Sequence, residues 1–326
     1  LHAMGLRVVL DQVFNHTASF GQQTKSVLDR IVPGYYHRLN PLGFTEHSTC
    51  CPNVATEHAM AQKLMIDSVV LWARDYRVDG FRFDLMGHHS RDNMLAVRAA
   101  LDALTPESDG VDGRQVTLYG EGWNFGEVAN DARFVQARQG NLAGTGIGTF
   151  NDRLRDAVRG GGPFDADPLA QGFGTGLLTA SNDAAVNGDG YAQRDRLLAD
   201  TDLIELGLTG NLRDYWLPSN SRRSFVRGDE LDYNGQPAGY AAEPDEVVSY
   251  VDAHDNETLF DALVLKLRPD TPMADRVRMN TLCLALATLG QGPVMWHAGS
   301  DILRSKSLDR NSYNSGDWFN FLDWTM

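Results

Sequence analysis

The stretch "VDGFRFDLMGHH", residues 78–89, decides the fold because it places a charged pair at the end of an apolar strand. The side-chain period of two along a strand puts Arg82 and Asp84 on one face, with phenylalanines on the other. An inward-facing charge is costly to desolvate unless it is paired, so we expect Arg82 to keep Asp84 ionised. An ionised aspartate at a strand end suits a carboxylate nucleophile, and a purely structural ion pair is the alternative.

Five further apolar segments have the length and composition of buried parallel strands. They are "LRVVLD" (6–11), "QVTLYGEG" (115–122), "GIGTFN" (146–151), "VVSYVDAH" (247–254) and "GPVMWHAG" (292–299). Amphipathic helical patterns lie between them, the clearest at 57–76 and 272–289. Strands that alternate with helices along the whole chain predict an α/β fold.

Two α/β architectures fit this alternation, a doubly wound open sheet and a (β/α)8 TIM-type barrel. No G-x-G-x-x-G turn links a strand to a helix, which argues against the doubly wound nucleotide-binding fold. Polar residues instead follow several different strands, as in barrel enzymes. We therefore predict one partial catalytic barrel over residues 1–326, truncated at the N-terminus, with about six of the eight strands present. The segments 17–56 and 152–246 exceed ordinary βα loops, so we expect a loop subdomain and an insertion there.

Composition limits the classes of partner. The 326 residues carry a formal net charge of -14, which argues against binding nucleic acid or an anionic membrane. No apolar run reaches the length of a membrane span. Three cysteines cannot build a disulfide framework, and the adjacent Cys50 and Cys51 are compatible with either a vicinal disulfide or two thiols. The oligomeric state stays open.

A second carboxylate follows the next predicted strand, in "YGEGW" (119–123). Glu121 lies between Gly120 and Gly122, which permit close approach of another backbone or a ligand. Trp123 offers a flat apolar face nearby, and a carboxylic acid beside an indole tends to stay protonated. Such a group can donate a proton at neutral pH, while a structural glutamate beside a core tryptophan is the alternative.

Other strand ends contribute further polar groups. The segment "LDQVFNH" (10–16) offers Asp11 and His16, and "YVDAHDNETLF" (250–260) offers His254 and Asp255. Each group alone could be a satisfied core or capping residue, and no histidine pair has the spacing of a helical zinc motif. Four strand ends that present such groups to one rim are typical of an active site. One charged and one protonated carboxylate, together with aromatic surfaces, predict the cleavage of glycosidic bonds.

These motifs occur in a familiar order. The chain resembles the α-amylase superfamily, family thirteen of the glycoside hydrolases, through "DQVFNH" (11–16), "GFRFDL" (80–85), "GEGW" (120–123) and "YVDAHDNETLF" (250–260). Within that superfamily, the stretches at 144–165 and 304–320 resemble type I pullulanases and limit dextrinases. The resemblance spans almost the whole chain, and it departs from the common pattern at Gln12 and Phe14, where valine and tyrosine are more usual.

The resemblance implies a role for each matching residue. It makes Asp84 the nucleophile, Glu121 the general acid/base, and Asp255 the carboxylate that stabilises the transition state. The positions that would contact sugar are Arg82, His16, His254, Trp123, Asp11, Asn256 and Asp317.

The reaction implied is retaining hydrolysis of α-1,6-glucosidic branch bonds in pullulan, amylopectin and limit dextrins, with an α-glucan polysaccharide or oligosaccharide as partner. The carboxyl groups of Asp84 and Glu121 would then lie about 5 to 5.5 Å apart. No cofactor is required for this chemistry. A structural calcium ion near Asn15 stays open, because no oxygen cage with diagnostic spacing is visible in the sequence.

Two alternatives stay open: a superfamily relative that acts on α-1,4 bonds or makes branches, and a non-catalytic sugar-binding barrel. The presence of Arg82 and all three carboxylates argues against the second. Leu1 falls within a helical pattern, so we expect a catalytic-domain fragment. Because a barrel without two strands has unpaired edges, the isolated fragment is expected to be poorly soluble and inactive. The resemblance and the adjacent cysteines favour a secreted or cell-surface protein.

Overall fold

A computed structural model describes residues 1–325 and divides the chain into two compact units. Unit 1 spans Leu1–Thr149 and unit 2 spans Phe150–Met326. Each unit has a hydrophobic core of its own, one around Phe81 and one around Leu263. Among the residues described, no helix combines the length and the apolar composition that a membrane span requires.

Four parallel strands lie side by side in chain order, and the last of them ends at the first residue of unit 2. They are β1 (Val9–Gln12), β2 (Gly80–Phe83), β3 (Thr117–Gly120) and β4 (Gly148–Phe150). The register places Asp11 opposite Arg82, and Arg82 opposite Tyr119. All four residues of β2 are buried, as expected for a central parallel strand that is covered on both faces.

The helices of unit 1 follow its strands. They are α1 (Leu28–Ile31), α2 (Ala59–Tyr76), α3 (Arg91–Asp102) and α4 (Pro106–Asp109). The α2 helix buries Met65, Val69 and Ala73 in the same core as Phe81, because these residues recur at helical spacing. At its start, α3 has a capping box in which the Ser90 hydroxyl accepts a hydrogen bond from the Asn93 backbone N–H.

Unit 2 is mainly helical. Its helices are α5 (Asp152–Arg159), α6 (Gly190–Leu208), α7 (Leu259–Lys266), α8 (Met273–Thr288) and α9 (Asp317–Asn320). Its strands are β5 (Trp216–Ser219), β6 (Ser224–Arg227), β7 (Asp232–Tyr233), β8 (Gln236–Pro237) and β9 (Val247–Val248). Directly after β4, the Asn151 backbone N–H donates to the Val248 carbonyl at 3.0 Å. The parallel sheet therefore has five strands, in the order β1-β2-β3-β4-β9.

The two long segments differ in content. Segment 17–56 contains α1 and isolated bridges such as His37 with Val54. Segment 152–246 contains α5, α6 and two antiparallel hairpins, β5-β6 and β7-β8. Their function as subdomains of one barrel stays a prediction.

The sheet has five strands where the sequence predicted six. Residues 292–299 make only an isolated parallel bridge between Ser249 and Val294. Pro293 has no backbone N–H, and Val294 and Trp296 are 40% and 47% exposed, so neither hydrogen bonding nor burial extends the pairing. Apolar composition alone therefore predicted a strand where the structure forms only one bridge.

Phe81→Ala should strongly destabilise unit 1, because the Phe81 side chain is 0% exposed and its removal leaves a cavity in the core. The expected loss is about 3 to 5 kcal/mol in the free energy of unfolding, measured by chemical denaturation. Phe44→Ala is the matched control in the same unit, since Phe44 is 67% exposed and should cost less than about 0.5 kcal/mol. Equal losses in the two variants would contradict the assignment of this core.

Candidate active site

The centre of the site in unit 1 is the buried guanidinium of Arg82, which is 7% exposed. Its Nη1 lies 2.8 Å from Asp11 Oδ1 and 3.1 Å from Asp84 Oδ1, and its Nη2 lies 3.1 Å from Glu121 Oε1. Burial by itself would lower the pKa of Arg82, but the carboxylates of Glu121, Asp11 and Asp84 raise it above its ordinary value. Arg82 is therefore a permanent cation shared by three carboxylates.

The backbone of the sheet brings two of these carboxylates to the same edge. The Asp84 N–H donates to the Gln12 carbonyl at 2.9 Å, which continues the pairing of β1 with β2. One strand further, the Glu121 N–H donates to the Phe83 carbonyl at 3.1 Å. Because parallel strands end at one edge, Asp84 and Glu121 both leave the sheet next to Arg82.

The surroundings of Glu121 differ from the sequence-based expectation of an apolar indole environment. Its Oε2 accepts a hydrogen bond from the Leu85 backbone N–H at 2.8 Å, in addition to the contact of Oε1 with Arg82. Both partners favour the ionised carboxylate. Arg82 also contacts Asp84, so one guanidinium faces the carboxylates of both residues.

The glycines beside Glu121 are required by close backbone approaches, as the sequence predicted. A Cβ on Gly120 would lie 2.5 Å from the Phe83 carbonyl oxygen, and one on Gly122 would lie 2.9 Å from the Gln139 backbone nitrogen. Both distances are too short for any other residue type. The chain on either side of Glu121 is therefore packed against neighbouring backbone.

His16 lies beside Asp84, with its Nδ1 at 4.0 Å from Asp84 Oδ2. The Asn15 side-chain amide is 2.9 Å from the same nitrogen. Burial lowers the pKa of His16, and the opposing effect of the Asp84 carboxylate is smaller. At neutral pH, His16 is therefore an uncharged imidazole that can exchange hydrogen bonds with a neutral ligand.

Cys50 and Cys51 form a vicinal disulfide, which resolves the two alternatives left by the sequence. Cys50 Sγ lies 3.7 Å from His16 Nε2. Among residues 1–325, these two cysteines and His16 are the one group of three His, Cys, Asp or Glu side chains at metal-ligand distances. Because the disulfide removes both thiolates, the oxidised chain does not present a soft-metal site there.

Trp123 lies in unit 1, where it is half-buried two residues after Glu121, and the remaining sequence-predicted site residues belong to unit 2. His254 and Asp255 follow β9, with side chains that are 61% and 57% exposed and His254 Nε2 at 3.6 Å from Asp255 Oδ1. Asn256 adopts a left-handed conformation with φ of 58°, which turns the chain directly after Asp255. Asp317 is the exposed first residue of α9. The convergence of Asp255 with Asp84 and Glu121 stays a prediction.

Comparison with known proteins finds relatives that are named pullulanases. It is 49% identical over 326 residues to the Arabidopsis thaliana protein named pullulanase 1, chloroplastic, covering 100% of the chain and 34% of that protein. It is 47% identical over 328 residues to the Klebsiella aerogenes pullulanase, covering 99% of the chain and 28% of that protein. No family model matches the chain.

Solved structures of pullulanases also match this chain. The maltotriose complex of PulA from Klebsiella pneumoniae matches with a TM-score of 0.89 and 45% identity, over 98% of this chain and 33% of that one. Pullulanase from Bacillus acidopullulyticus matches with a TM-score of 0.75 and 33% identity, over 99% of this chain and 33% of that one. The chain belongs to the pullulanase family. It spans about a third of the length of the relatives that it matches.

This member of the pullulanase family also has a buried ion network that the sequence analysis missed. Arg38 is 1% exposed, and it pairs with Glu57 Oε2 and Glu127 Oε1, each at 2.8 Å. Glu127 also accepts hydrogen bonds from the Ser48 hydroxyl and the Asn53 amide. The network thus ties the loop that carries the vicinal disulfide to the loop that follows Glu121. No local sequence signal marks these residues, because their partners are far apart in the chain.

The paired histidines His88 and His89 are fully buried in this pullulanase-family fold. Both are 0% exposed, and the His89 Nδ1 lies 2.8 Å from the Thr56 hydroxyl. Burial lowers the pKa of His88 to about 4 and that of His89 to about 3. Both imidazoles are therefore uncharged at neutral pH.

Glu127→Gln should lower the free energy of unfolding at pH 7 by about 1 to 3 kcal/mol, because the amide cannot form an ion pair with buried Arg38. Burial alone would raise the pKa of Glu127, but hydrogen bonds from Arg38, Ser48 and Asn53 lower it from an ordinary 4.5 to about 2. The ionised form therefore stabilises the fold above about pH 4.5, and that stabilisation is lost as the pH falls towards 2.

The difference in free energy of unfolding between wild type and Glu127→Gln should therefore shrink over that pH range, as urea denaturation at several pH values would measure. Glu107→Gln is the control, since Glu107 is exposed on α4 and its replacement should leave stability nearly unchanged. A difference for Glu127→Gln that stays constant with pH would contradict the assignment.

Proposed function

We propose that this chain supplies the catalytic residues for retaining hydrolysis of α-1,6-glucosidic branch bonds in pullulan, amylopectin and limit dextrins. The observation that carries the proposal is one guanidinium that holds Asp84 and Glu121 at the ends of adjacent strands. The identity of 49% to a pullulanase over the whole chain supports the same bond specificity. The chain spans about a third of such relatives, so we propose the activity for the whole protein rather than for these residues alone.

The chemistry follows from the two carboxylates. Glu121 donates its proton to the glycosidic oxygen while the Asp84 carboxylate attacks the anomeric carbon, so the leaving sugar departs and a glucosyl-enzyme ester forms. Glu121 then takes a proton from water, whose oxygen attacks the same carbon and releases Asp84. Two inversions give net retention. Arg82 contacts both carboxylates, which places its positive charge beside the nucleophile and the acid.

The remaining residues would bind the substrate. Asp255 would stabilise the positive charge that develops on the sugar in the transition state, which an ionised carboxylate does most effectively when it is fixed in place. Neutral His16 suits contact with sugar hydroxyls beside the cleaved bond. The other proposed contacts to sugar are made by Arg82, Asp11, His254, Trp123, Asn256 and Asp317.

The larger architecture and the cofactor requirement are proposals of the same kind. Parallel strands with chemical groups at their carboxyl ends support a (β/α)8 barrel, to which this chain contributes part of the strands. The reaction needs no cofactor, because the nucleophile, the acid and the cation are side chains. The expected partner is an α-glucan, and maltotriose is the sugar held by the matching Klebsiella pneumoniae structure. A structural calcium ion and secretion or cell-surface location stay predictions, and the Arabidopsis relative is named chloroplastic.

The decisive experiment incubates the protein that contains this chain with pullulan and analyses the products. Maltotriose as the main product, released first as the α-anomer by NMR, is expected from retaining α-1,6 cleavage. Glu121→Gln should reduce kcat by about 10² to 10⁴-fold, because an amide cannot transfer the proton. Asp84→Asn should reduce it at least as much, since the amide is not a nucleophile.

Asp92→Asn is the control for both variants, because Asp92 is an exposed residue in the first turn of α3. Its activity should match that of wild type. Products that keep the α-1,6 bond would instead indicate a relative acting on α-1,4 bonds. Unchanged activity in Asp84→Asn would overturn the proposed site.

Arg82→Lys should reduce kcat by about 100-fold even though the positive charge is kept. A lysine ammonium is a point charge, and it cannot reach Asp84 and Glu121 together as the planar guanidinium does. Steady-state kinetics on pullulan measure the effect, with Arg114→Lys at an exposed position as control. Activity of Arg82→Lys within about threefold of wild type would show that charge alone is sufficient.

A further inference from the structure

A buried lysine in unit 2 grips the loop that carries Asp255. Lys306 is 1% exposed, and its Nζ donates to the His254 carbonyl at 2.7 Å and to the Asn256 carbonyl at 2.6 Å. These two carbonyls lie immediately before and after Asp255. One ammonium group therefore holds the peptide unit that leads into Asp255 and the second peptide unit after it.

Burial of the Lys306 ammonium group costs desolvation free energy, which its interactions must offset. Burial lowers the pKa of Lys306, which means that the fold pays to desolvate its charge, and the carboxylates of Asp255 and Asp252 oppose that lowering. The chain has only four lysines, and Lys266 is the other buried one. A cation bound to two backbone carbonyls forms charge-assisted hydrogen bonds, which are about twice as strong as neutral ones.

Lys306 is itself held rigidly at the backbone. Its N–H donates to Asp261 Oδ2 at 2.7 Å, and the Ser305 hydroxyl donates to the other oxygen of the same carboxylate. Asp261 is 1% exposed and lies in the first turn of α7, whose cap is Thr258. The lysine therefore connects the loop to a helix that is part of the unit 2 core.

A second cation holds the ends of the same loop. Arg159 donates from Nη1 to the Val251 carbonyl at 3.0 Å and from Nη2 to the Glu257 carbonyl at 3.1 Å. While these carbonyls are bound by Lys306 and Arg159, the side chains of His254 and Asp255 are 61% and 57% exposed to solvent. The loop backbone is thus held by hydrogen bonds from Lys306 and Arg159, while the side chains of His254 and Asp255 face solvent.

We propose that Lys306 is a positioning residue for Asp255, because it sets the backbone on both sides of that carboxylate. The inference rests on the proposed function, in which Asp255 stabilises positive charge in the transition state. A carboxylate that must move into place during the reaction stabilises that charge less than one already in place, and a displacement of about 1 Å can cost about 100-fold in rate. Lys306 therefore acts on kcat through Asp255, without touching the substrate itself.

The test compares Lys306→Met with Lys266→Met in the protein that contains this chain. Lys266 makes a closely matched clamp in the same unit, with Nζ donating to the carbonyls of Gly160 at 2.7 Å and Ala170 at 2.6 Å. Both variants remove a buried ammonium from two carbonyls, so both should lower Tm. Only Lys306→Met should lower kcat on pullulan, by about 10- to 100-fold with KM changed less than threefold.

A double-mutant cycle with Asp255→Asn shows whether the effect passes through the carboxylate. If Lys306 acts by positioning Asp255, adding Lys306→Met to Asp255→Asn should cause no further loss of kcat. Losses that multiply, or a kcat for Lys306→Met equal to that of Lys266→Met, would overturn the inference. Wild-type protein without activity on pullulan would instead overturn the proposed function and, with it, the role of Asp255.

Lys306→Gln covers the case in which Lys306→Met does not fold. Glutamine keeps N–H donors but loses the charge, so the kcat of Lys306→Gln should lie between those of wild type and Lys306→Met. If Lys306→Met does not fold, the kcat of Lys306→Gln is compared with wild type alone and should be about one tenth of it. A Lys306→Gln protein with lowered Tm and wild-type kcat would show that the lysine is structural only.

Discussion

The site in unit 1 depends on one buried guanidinium shared by three carboxylates. Without the charge of Arg82, the carboxylates that leave successive strands would repel one another. The parallel register supplies the geometry, because Asp11 lies opposite Arg82 and Glu121 follows the strand on the other side. The strand pairing that forms the sheet therefore also sets the positions of the charged groups in the site.

Much of the fold could be predicted because its signals are local. An apolar run bounded by polar groups identified each strand of the parallel sheet, and periodicity identified α2 and α8 to within a few residues. At 292–299 the pairing stops after one bridge to Ser249, because Pro293 has no backbone N–H with which to continue it. Val294 has one bridge and remains 40% exposed. The amino-acid composition of the segment is therefore typical of a buried strand, but its surroundings in the structure are not.

The contacts in the site also differ in whether the sequence could predict them: local contacts could be predicted, and contacts between distant residues could not. The contact between Arg82 and Asp84 follows from a spacing of two residues within one strand. The bond from Leu85 to Glu121 joins residues 36 apart, and that from Arg38 to Glu127 joins residues 89 apart. The grip of Lys306 on the His254 carbonyl spans 52 residues. Such partners depend on tertiary packing, so no motif or periodicity in the sequence identifies them.

The burial of two lysines has a practical consequence for chemical modification of this chain. Lys266 and Lys306 are enclosed in unit 2, whereas the other two lysines, Lys25 and Lys63, are exposed in unit 1. Amine-reactive dyes, crosslinkers and activated resins need an accessible, deprotonated amine, so lysine coupling should occur through unit 1. Attachment of the protein to a support by this chemistry would leave the Asp255 loop unmodified.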